Sequence, residues 1–218
     1  MQIIPSPPQK NEALEQLLRF CHKRRYQSKA AIIKPGDDGD VLYYIAEGSV
    51  AVRMHNDLDD SEIVLAYLNK GDFIGEIGVF MGAMKRDVTV VTREATQLAE
   101  IGYARLHHLL KNELADYAVE ILHIFGRQLG NRLLSTSRKV GTLAFLDATG
   151  RIANTLLDLC RQPDAMTHPD GMQIRITRQE IGRIVGCSRE MAGKILKALE
   201  DQGLISVSGK TIVVLGTR

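Results

Sequence analysis

The stretch Thr177-Arg-Gln-Glu-Ile-Gly-Arg-Ile-Val-Gly-Cys-Ser-Arg-Glu-Met-Ala-Gly-Lys-Ile-Leu196 has the pattern of two helices joined by a tight turn. Thr177 followed by Glu180 predicts a capping box for the first helix, and Ser188 can N-cap the second. Gly186 stands between them, where the turn requires a positive φ. The stretch therefore predicts a helix-turn-helix, which places its second helix in a DNA major groove. An amphipathic helical hairpin within a core is the alternative.

Three polar residues of the second helix share one exposed edge: Arg189, Glu190 and Lys194. Arginine can donate twice to guanine and glutamate can accept from the cytosine amine, so these residue types suit the reading of base edges. Binding of double-stranded DNA is the function that this pattern favours.

The segments on either side of this motif extend it to a winged domain over residues 147–218. Asp147 can N-cap a helix that runs from Thr149 to Cys160, and two apolar runs near the end predict a hairpin turned by Ser208-Gly209. Lys210 would then lie at the tip of this wing, where it would touch a phosphate.

The first half of the chain has a different pattern. Short apolar runs recur about every ten residues between turn residues, which favours a β-sandwich or barrel over residues 1–111, with a short helix from Asn11 to Phe20 beside it. These runs are Ala31–Ile33, Val41–Ala46, Ser49–Met54, Ile63–Tyr67, Val88–Val91 and Leu98–Ile101. The fold class predicted is α+β.

A long helix without proline is expected over residues 112–140, followed by a hinge at residues 141–146. A seam of residues spaced three and four apart runs along it: Val119, Leu122, Gly126, Leu129, Leu133, Thr136 and Val140. A second apolar stripe lies beside the seam, so the helix needs two packing partners. We expect the β domain and the same helix of a second subunit, giving a homodimer. A single wide face in one core is the alternative.

Composition limits the function classes. The 218 residues are 44% hydrophobic and 25% charged with a net charge of +2, as in an ordinary globular protein. Three scattered cysteines without metal-ligand spacing favour reduced thiols and no metal site. No stretch predicts a signal peptide or a membrane span, so we expect a cytoplasmic location. No nucleophile stands beside a base, so no catalytic residue and no enzyme are expected.

Several motifs resemble the bacterial cyclic-AMP receptor protein (catabolite activator protein) of the CRP/FNR superfamily. They are Leu42–Ile45, Gly48–Val52, Gly71–Gly78, Ala99–Ile101, Leu143–Asp147, Gln162–Ile174, the helix-turn-helix and Gly209–Val214. The resemblance implies a β jelly-roll ligand domain, a long dimerisation helix and a winged helix-turn-helix. It also implies an activator switched allosterically by cyclic AMP that binds palindromic TGTGA-like sites.

The resemblance also implies specific DNA contacts. It implies that Arg189, Glu190 and Lys194 read bases, and that the phosphate contacts are Thr149, Arg178, Gln179, Ser188 and Lys210. Lys194 and Met191 depart from the family's pattern, which has arginine and a hydroxyl residue there. Lysine is a point donor rather than a fork, so discrimination at its base should be weaker.

The ligand site is expected at Gly75-Glu76-Ile77-Gly78. Backbone N–H groups exposed by the glycines can cradle a phosphate, Glu76 can accept from a ribose hydroxyl, and Arg86 can pair with the phosphate. A β-turn beside a solvated arginine is the alternative. The resemblance adds Thr136 and Ser137 as adenine contacts, one of them from the partner subunit, and Arg132 as a brace for Glu76.

Asp87 stands where the family normally has a serine or threonine that donates to the phosphate. A carboxylate only accepts and repels an anion, so three outcomes stay open. Cyclic AMP binds weakly, another ligand such as cyclic di-GMP is used, or the protein is active without a ligand. Cyclic AMP binding with reduced affinity is our main hypothesis.

The resemblance also implies two RNA polymerase contacts. One is the loop Ala165–Gly171, with Thr167, His168 and Gly171, and the other is a patch formed by His22, Arg24, Glu100 and Arg105. Taken alone, the loop would be interpreted as solvated. Two other classes are disfavoured: a redox or gas sensor needs a cysteine cluster or a haem ligand, and a kinase-regulatory module has no DNA-binding domain.

Overall fold

The computed structural model describes residues 12–56 and 61–217, so Asn11 of the predicted first helix lies outside the described residues. Contacts divide the chain into two compact units: the first holds the residues before Thr136 except Asn56–Val64, and the second holds Asn56–Val64 together with the residues from Thr136 onward. The architecture is α+β, as predicted.

The first unit is built mainly of strands, together with short helices. Its strands are β1 (His22–Tyr26), β2 (Ala31–Ile33), β3 (Asp38–Gly39), β4 (Val41–Glu47), β5 (Ser49–Asn56), β6 (Ser61–Asn69), β7 (Phe73–Ile74), β8 (Met84–Lys85), β9 (Thr89–Thr92) and β10 (Thr96–Gly102). Its helices are α1 (Glu12–Leu18), α2 (Glu76–Met81) and α3 (Tyr103–Lys111).

Two four-stranded sheets, with orders β1-β10-β4-β7 and β2-β9-β5-β6, form the body of this unit, and β3 pairs with β8 beside them. One buried cluster includes Ile33 and Val90 of one sheet with Ile45 and Leu98 of the other. A second cluster lies under the helices and includes Phe73. All six predicted strands are present, at bounds that differ by at most two residues.

The sequence analysis did not predict β1, because its residues His22-Lys-Arg-Arg-Tyr26 do not form an apolar run. The strand nevertheless pairs in antiparallel register with β10 over its whole length. It is the edge strand of its sheet, and charged side chains are typical of edges because they prevent further strand pairing.

The long helix α4 (Ala118–Phe145) begins six residues later than predicted. The chain first turns through a 3₁₀ helix (Ala115–Tyr117), where buried Leu114 donates its N–H to the Leu109 carbonyl at 2.8 Å. At the other end the predicted hinge, residues 141–146, is helical through Phe145. The segment contains no proline, and Leu146 N–H still bonds the Thr142 carbonyl at 3.0 Å.

α4 carries two distinct faces, as its sequence pattern predicts. Ile121 and Phe125 are fully buried against the β unit. Val119, Leu133 and Val140, which belong to the seam, are each more than 60% exposed in the single chain.

The second unit contains three helices and one four-stranded sheet. Its elements are α5 (Ala148–Leu159), β11 (Met166–His168), β12 (Gly171–Arg175), α6 (Arg178–Val185), α7 (Arg189–Asp201), β13 (Ile205–Ser208) and β14 (Thr211–Leu215). The sheet has the order β11-β12-β14-β13. The prediction of a loop over Ala165–Gly171 is therefore wrong in part. Met166–His168 form a strand that pairs with Gly171–Gln173 in a hairpin.

No helix among the described residues is long and apolar enough to cross a membrane. The three cysteines are free thiols and half-buried.

Candidate functional site

Gly75 connects β7 to α2 and lies in the left-handed region with φ 91°. A Cβ at this position would come within 2.9 Å of the Arg86 guanidinium nitrogens and of the Val41 carbonyl oxygen. Only glycine therefore allows the chain to turn into α2 beneath Arg86. We name residues Gly75–Gly78 with Arg86 and Asp87 the cassette.

Glu76 is fully buried, and its Oε1 forms an ion pair with Arg132 Nη1. Its other carboxylate oxygen, Oε2, accepts no hydrogen bond within the described part of the chain. Burial raises the pKa of Glu76, and the Arg132 charge offsets this rise only in part. A buried acceptor without a partner suits a ligand hydroxyl, because the hydrogen bond would recover the cost of desolvation.

The hydrogen bonds of the Arg86 guanidinium within this unit are made by its Nη2 atom. Its Nη2 donates to the Val41 carbonyl at 2.6 Å and lies 3.4 Å from the Tyr103 hydroxyl, while its buried Nε has no partner among the described residues. The Tyr103 hydroxyl donates to the Gly75 carbonyl at 2.6 Å, and burial raises the pKa of Tyr103, so that it keeps this proton. A Cβ at Gly78 would collide with the Tyr103 ring.

These groups line a cavity of about 240 Å³. Its walls include Gly75, Glu76, Ile77, Gly78, Lys85, Arg86, Asp87, Tyr103 and Arg132, with apolar side chains of the β unit behind them. A fixed guanidinium, a carboxylate with a free oxygen and glycine-exposed backbone can together bind a small molecule that carries both an anion and a hydroxyl.

Asp87 is exposed at the rim of this cavity. Lys85 does not neutralise it, because Lys85 Nζ pairs with Asp38 at 2.6 Å instead. Thr136 and Ser137 lie on α4 beyond Arg132 and are exposed; neither contributes to the cavity wall in the single chain.

Two residues of this region were missed by sequence analysis. Tyr103 fixes Gly75 and approaches Arg86, and Gln128 of α4 bonds the backbone of Phe73 just before the cassette. The only available signal for Gln128 was its position on the same helix face as buried Phe125 and the predicted brace Arg132, at spacings of three and four.

In the second unit, α6 and α7 form the predicted helix-turn-helix. Thr177 Oγ1 accepts from Glu180 N–H and Ser188 Oγ from Met191 N–H, each at 3.1 Å. Gly186 has φ 70°, and a Cβ at Gly182 would approach the Cys187 carbonyl oxygen to 2.5 Å. The turn therefore depends on both glycines.

All the predicted DNA contacts in this unit are exposed. Arg189, Glu190 and Lys194 are exposed on α7, whose buried residues include Ala192 and Leu196. The predicted phosphate contacts Thr149, Arg178, Gln179, Ser188 and Lys210 are exposed on α5, on the ends of α6 and α7 and on the wing.

The wing is anchored by two hydrogen bonds, one to α7 and one to the residue that follows β12. Glu200 Oε1 accepts from Val207 N–H at 2.9 Å, and the Lys210 carbonyl accepts from Ile176 N–H at 2.8 Å. Gly209 turns the hairpin with φ 62°. These bonds place the exposed side chain of Lys210 at the hairpin tip, as the sequence predicts.

The residues of the predicted polymerase patch in the β unit lie on β1, β10 and α3. His22 is the register partner of Glu100, Arg24 lies over the Tyr26 ring, and Tyr26 donates to Glu100 at 2.7 Å. Arg105 pairs with Glu113 at 3.7 Å.

The other predicted polymerase contact lies on the hairpin β11–β12. Thr167 is exposed and His168 half-buried. Gly171 is buried, and a Cβ there would collide with the Val214 carbonyl, so its contribution is to hairpin packing.

Comparison with known families identifies the class. Residues 23–113 match the cyclic nucleotide-binding domain, and residues 150–217 match the Crp-like helix-turn-helix domain. A chain with both is a regulator that combines cyclic-nucleotide binding with DNA binding.

Individual relatives define the family more closely. The cAMP-activated global transcriptional regulator CRP of Salmonella typhimurium is 54% identical over 216 residues, 99% of this chain and 100% of that protein. The cAMP-activated regulator Vfr of Pseudomonas aeruginosa is 54% identical over 208 residues, 94% of each chain. The solved structure of CLP from Xanthomonas campestris, a c-di-GMP responsive global regulator, has a TM-score of 0.89 at 47% identity and covers 94% of this chain and 99% of that one. The chain belongs to the CRP family of transcription regulators.

Proposed function

We propose that the protein is a homodimeric regulator switched by cyclic AMP, which binds palindromic TGTGA-like DNA and contacts RNA polymerase in the cytoplasm. The observation that carries the switch is the cavity, where Arg86 offers charge to an anion and Glu76 Oε2 offers a free acceptor to a hydroxyl. A cyclic ribose phosphate presents both groups at short separation.

The exposed seam of α4 supports the homodimer. Val119, Leu133 and Val140 expose apolar surface along one side of the helix. Gly126 and Gly130 each cost about 1 kcal/mol relative to alanine within a helix, yet a Cβ at either would meet nothing within 4 Å in this chain. Close approach of the same helix from a second copy explains both features.

Two copies of α7 related by a two-fold axis would read half-sites one helical turn apart. Arg189 and Glu190 would read a guanine and a cytosine, and Lys194 a further base with weaker discrimination. The ligand must favour the DNA-competent state by about 5.5 kcal/mol to move the protein from 1:99 to 99:1.

A second candidate keeps the DNA-binding function but changes the signal. Asp87 places a carboxylate at the rim of the cavity, and Lys85, two residues earlier in the sequence, is paired with Asp38. This arrangement favours a weaker response to cyclic AMP, a response to cyclic di-GMP, or activity without ligand. The likeness to the c-di-GMP responsive CLP supports testing the second of these.

The test is fluorescence anisotropy of a labelled TGTGA-type palindrome titrated with nucleotide-stripped protein. Three arms contain no nucleotide, cyclic AMP or cyclic di-GMP at fixed salt, since DNA affinity falls steeply with salt. Tighter binding only with cyclic AMP supports the proposal. Tighter binding only with cyclic di-GMP, or equal binding in all arms, overturns cyclic AMP as the signal.

A further inference from the structure

The outer edge of β7 is covered by one side chain of α4. β7 pairs with β4 on one side, through Phe73 and Tyr44, and ends its sheet within the described residues. On the open side Gln128 Oε1 accepts from Phe73 N–H at 2.8 Å, and Gln128 Nε2 donates to the Phe73 carbonyl at 2.9 Å. A primary amide offers one acceptor and one donor group, as a peptide unit does. Gln128 therefore takes the place of a neighbouring strand.

Two more residues of the same helix face contact the same segment. The Phe125 ring packs edge-on against the Phe73 ring with centroids 4.9 Å apart. Arg132 donates from Nη2 to the Phe73 carbonyl and pairs through Nη1 with Glu76. Since residues 125, 128 and 132 are three and four apart, one stripe of α4 holds the ring, the backbone and the carboxylate that lead into the cavity.

Among these contacts, only Gln128 fixes the strand in both directions. A guanidinium has no acceptor, so Arg132 cannot bind Phe73 N–H, and a phenyl ring fixes no hydrogen-bond register. A shift of β7 and α2 along α4 would break both amide bonds together. Any such movement on ligand binding must either carry α4 with it or lose these bonds.

We propose that Gln128 is the positioning residue that couples the cassette to the long helix, so that ligand binding changes DNA affinity. The proposal rests on the ligand-controlled DNA binding proposed above. The Gln128 side chain also bonds Glu76 and thereby lowers the pKa of that carboxyl. The proposal assigns to this neutral side chain, which does not line the cavity, a role mainly in transmission rather than in ligand affinity.

Two substitutions isolate the amide. Gln128→Met keeps the length of the side chain but removes both strong hydrogen bonds, and Gln128→Glu keeps its shape but presents an acceptor to the Phe73 carbonyl. The matched control is Arg127→Met, which places the same new residue at the adjacent exposed position of α4.

The experiment has two readouts on the full chain. The first is hydrogen–deuterium exchange in peptides covering residues 70–82 without ligand, where Gln128→Met should speed exchange about tenfold and Arg127→Met should not. The second is the ratio of DNA dissociation constants without and with cyclic AMP, which should fall about tenfold in Gln128→Met, while the affinity for the nucleotide itself changes much less. A merely structural role would lower thermal stability without changing this ratio.

Each outcome decides one point. Unchanged exchange in Gln128→Met would show that the two Gln128 hydrogen bonds do not hold β7 in place. Faster exchange with an unchanged ratio would overturn the coupling role. If no cyclic nucleotide alters the DNA affinity of the wild-type protein, the proposed switch and the proposed coupling are both wrong. The exchange result still shows, independently, whether the Gln128 hydrogen bonds hold β7 in place.

Discussion

The cassette and the recognition helix α7 present their functional side chains in opposite ways. In the cassette, Glu76 is fully buried and paired with Arg132, and Arg86 is bonded to Val41. On α7, Arg189 and Lys194 are exposed, whereas Ala192, Ile195, Leu196 and Leu199 of the same helix are buried. Cassette residues therefore support the fold as well as the proposed ligand site, whereas the predicted base contacts Arg189 and Lys194 are exposed. Substitutions should show this difference as a loss of stability in one region and a loss of affinity in the other.

The largest effect is expected at Arg132. Arg132→Met leaves Glu76 buried without its counter-charge, which should cost about 3–5 kcal/mol of the free energy of unfolding near neutral pH. The pKa of Glu76 is already raised in the folded state, and losing Arg132 raises it further, so the folded state binds its proton more tightly than the unfolded one. The loss of stability should therefore be smaller at pH 5 than at pH 8. Urea unfolding at both pH values, with Arg127→Met as control, measures it; an equal loss at both would contradict this account.

The next effect is on DNA binding. Arg189→Ala should lower affinity for the palindrome by about 1–3 kcal/mol, because a donor to a base edge is lost. Its free energy of unfolding should change by less than about 0.5 kcal/mol, as for an ordinary surface site. Arg161→Ala is the control, since Arg161 is an exposed arginine of the same unit in an exposed pair with Asp158. A large stability loss in Arg189→Ala would contradict the division of roles.

Asp87 sharpens the comparison because it is an exposed residue within the cassette. Asp87→Thr should bind cyclic AMP about tenfold more tightly with little change in stability, since it removes a negative charge and adds a donor. Asp87→Asn, which removes only the charge, should recover part of the gain. Calorimetric titration of stripped protein measures both, and weaker binding by Asp87→Thr would show that the carboxylate assists the ligand.

The smallest effect is expected at Ser188, which caps α7 and is also a predicted phosphate contact. Ser188→Ala should cost about 1 kcal/mol of stability through loss of the N-cap. Ser188→Asp keeps the cap but places a negative charge near the DNA backbone. It should fold as stably as the wild type and bind DNA more weakly, measured by thermal unfolding and anisotropy; normal DNA binding would remove Ser188 from the contacts.

Local chemistry made much of the fold predictable. The caps Thr177 and Ser188, the turn glycine Gly186 and the wing follow from short-range rules that the structure confirms. The strand β2 has the predicted bounds because Ala31–Ile33 is an apolar run between turn residues.

The rest depends on distant partners. β1 pairs through its backbone although its five residues are all polar or aromatic. The short strand β11 was not predicted because it lies in a polar segment. For the cavity, the cassette motif was enough to predict Glu76 and Arg86. The sequence around Tyr103 and Gln128 gave no comparable signal, because each acts through a hydrogen bond to a distant backbone group: Tyr103 to Gly75, 28 residues away, and Gln128 to Phe73, 55 residues away.

Two residues that line the cavity each carry a buried polar atom without a partner among the described residues, Glu76 Oε2 and Arg86 Nε, and this has a practical consequence. Each costs about 1–3 kcal/mol while it lacks a partner, so a molecule that satisfies them returns that free energy to the folded state. At a thousandfold excess over its dissociation constant, such a ligand adds about 4 kcal/mol to the stability. The melting temperature of the protein can therefore rank candidate signalling molecules directly, in the absence of DNA.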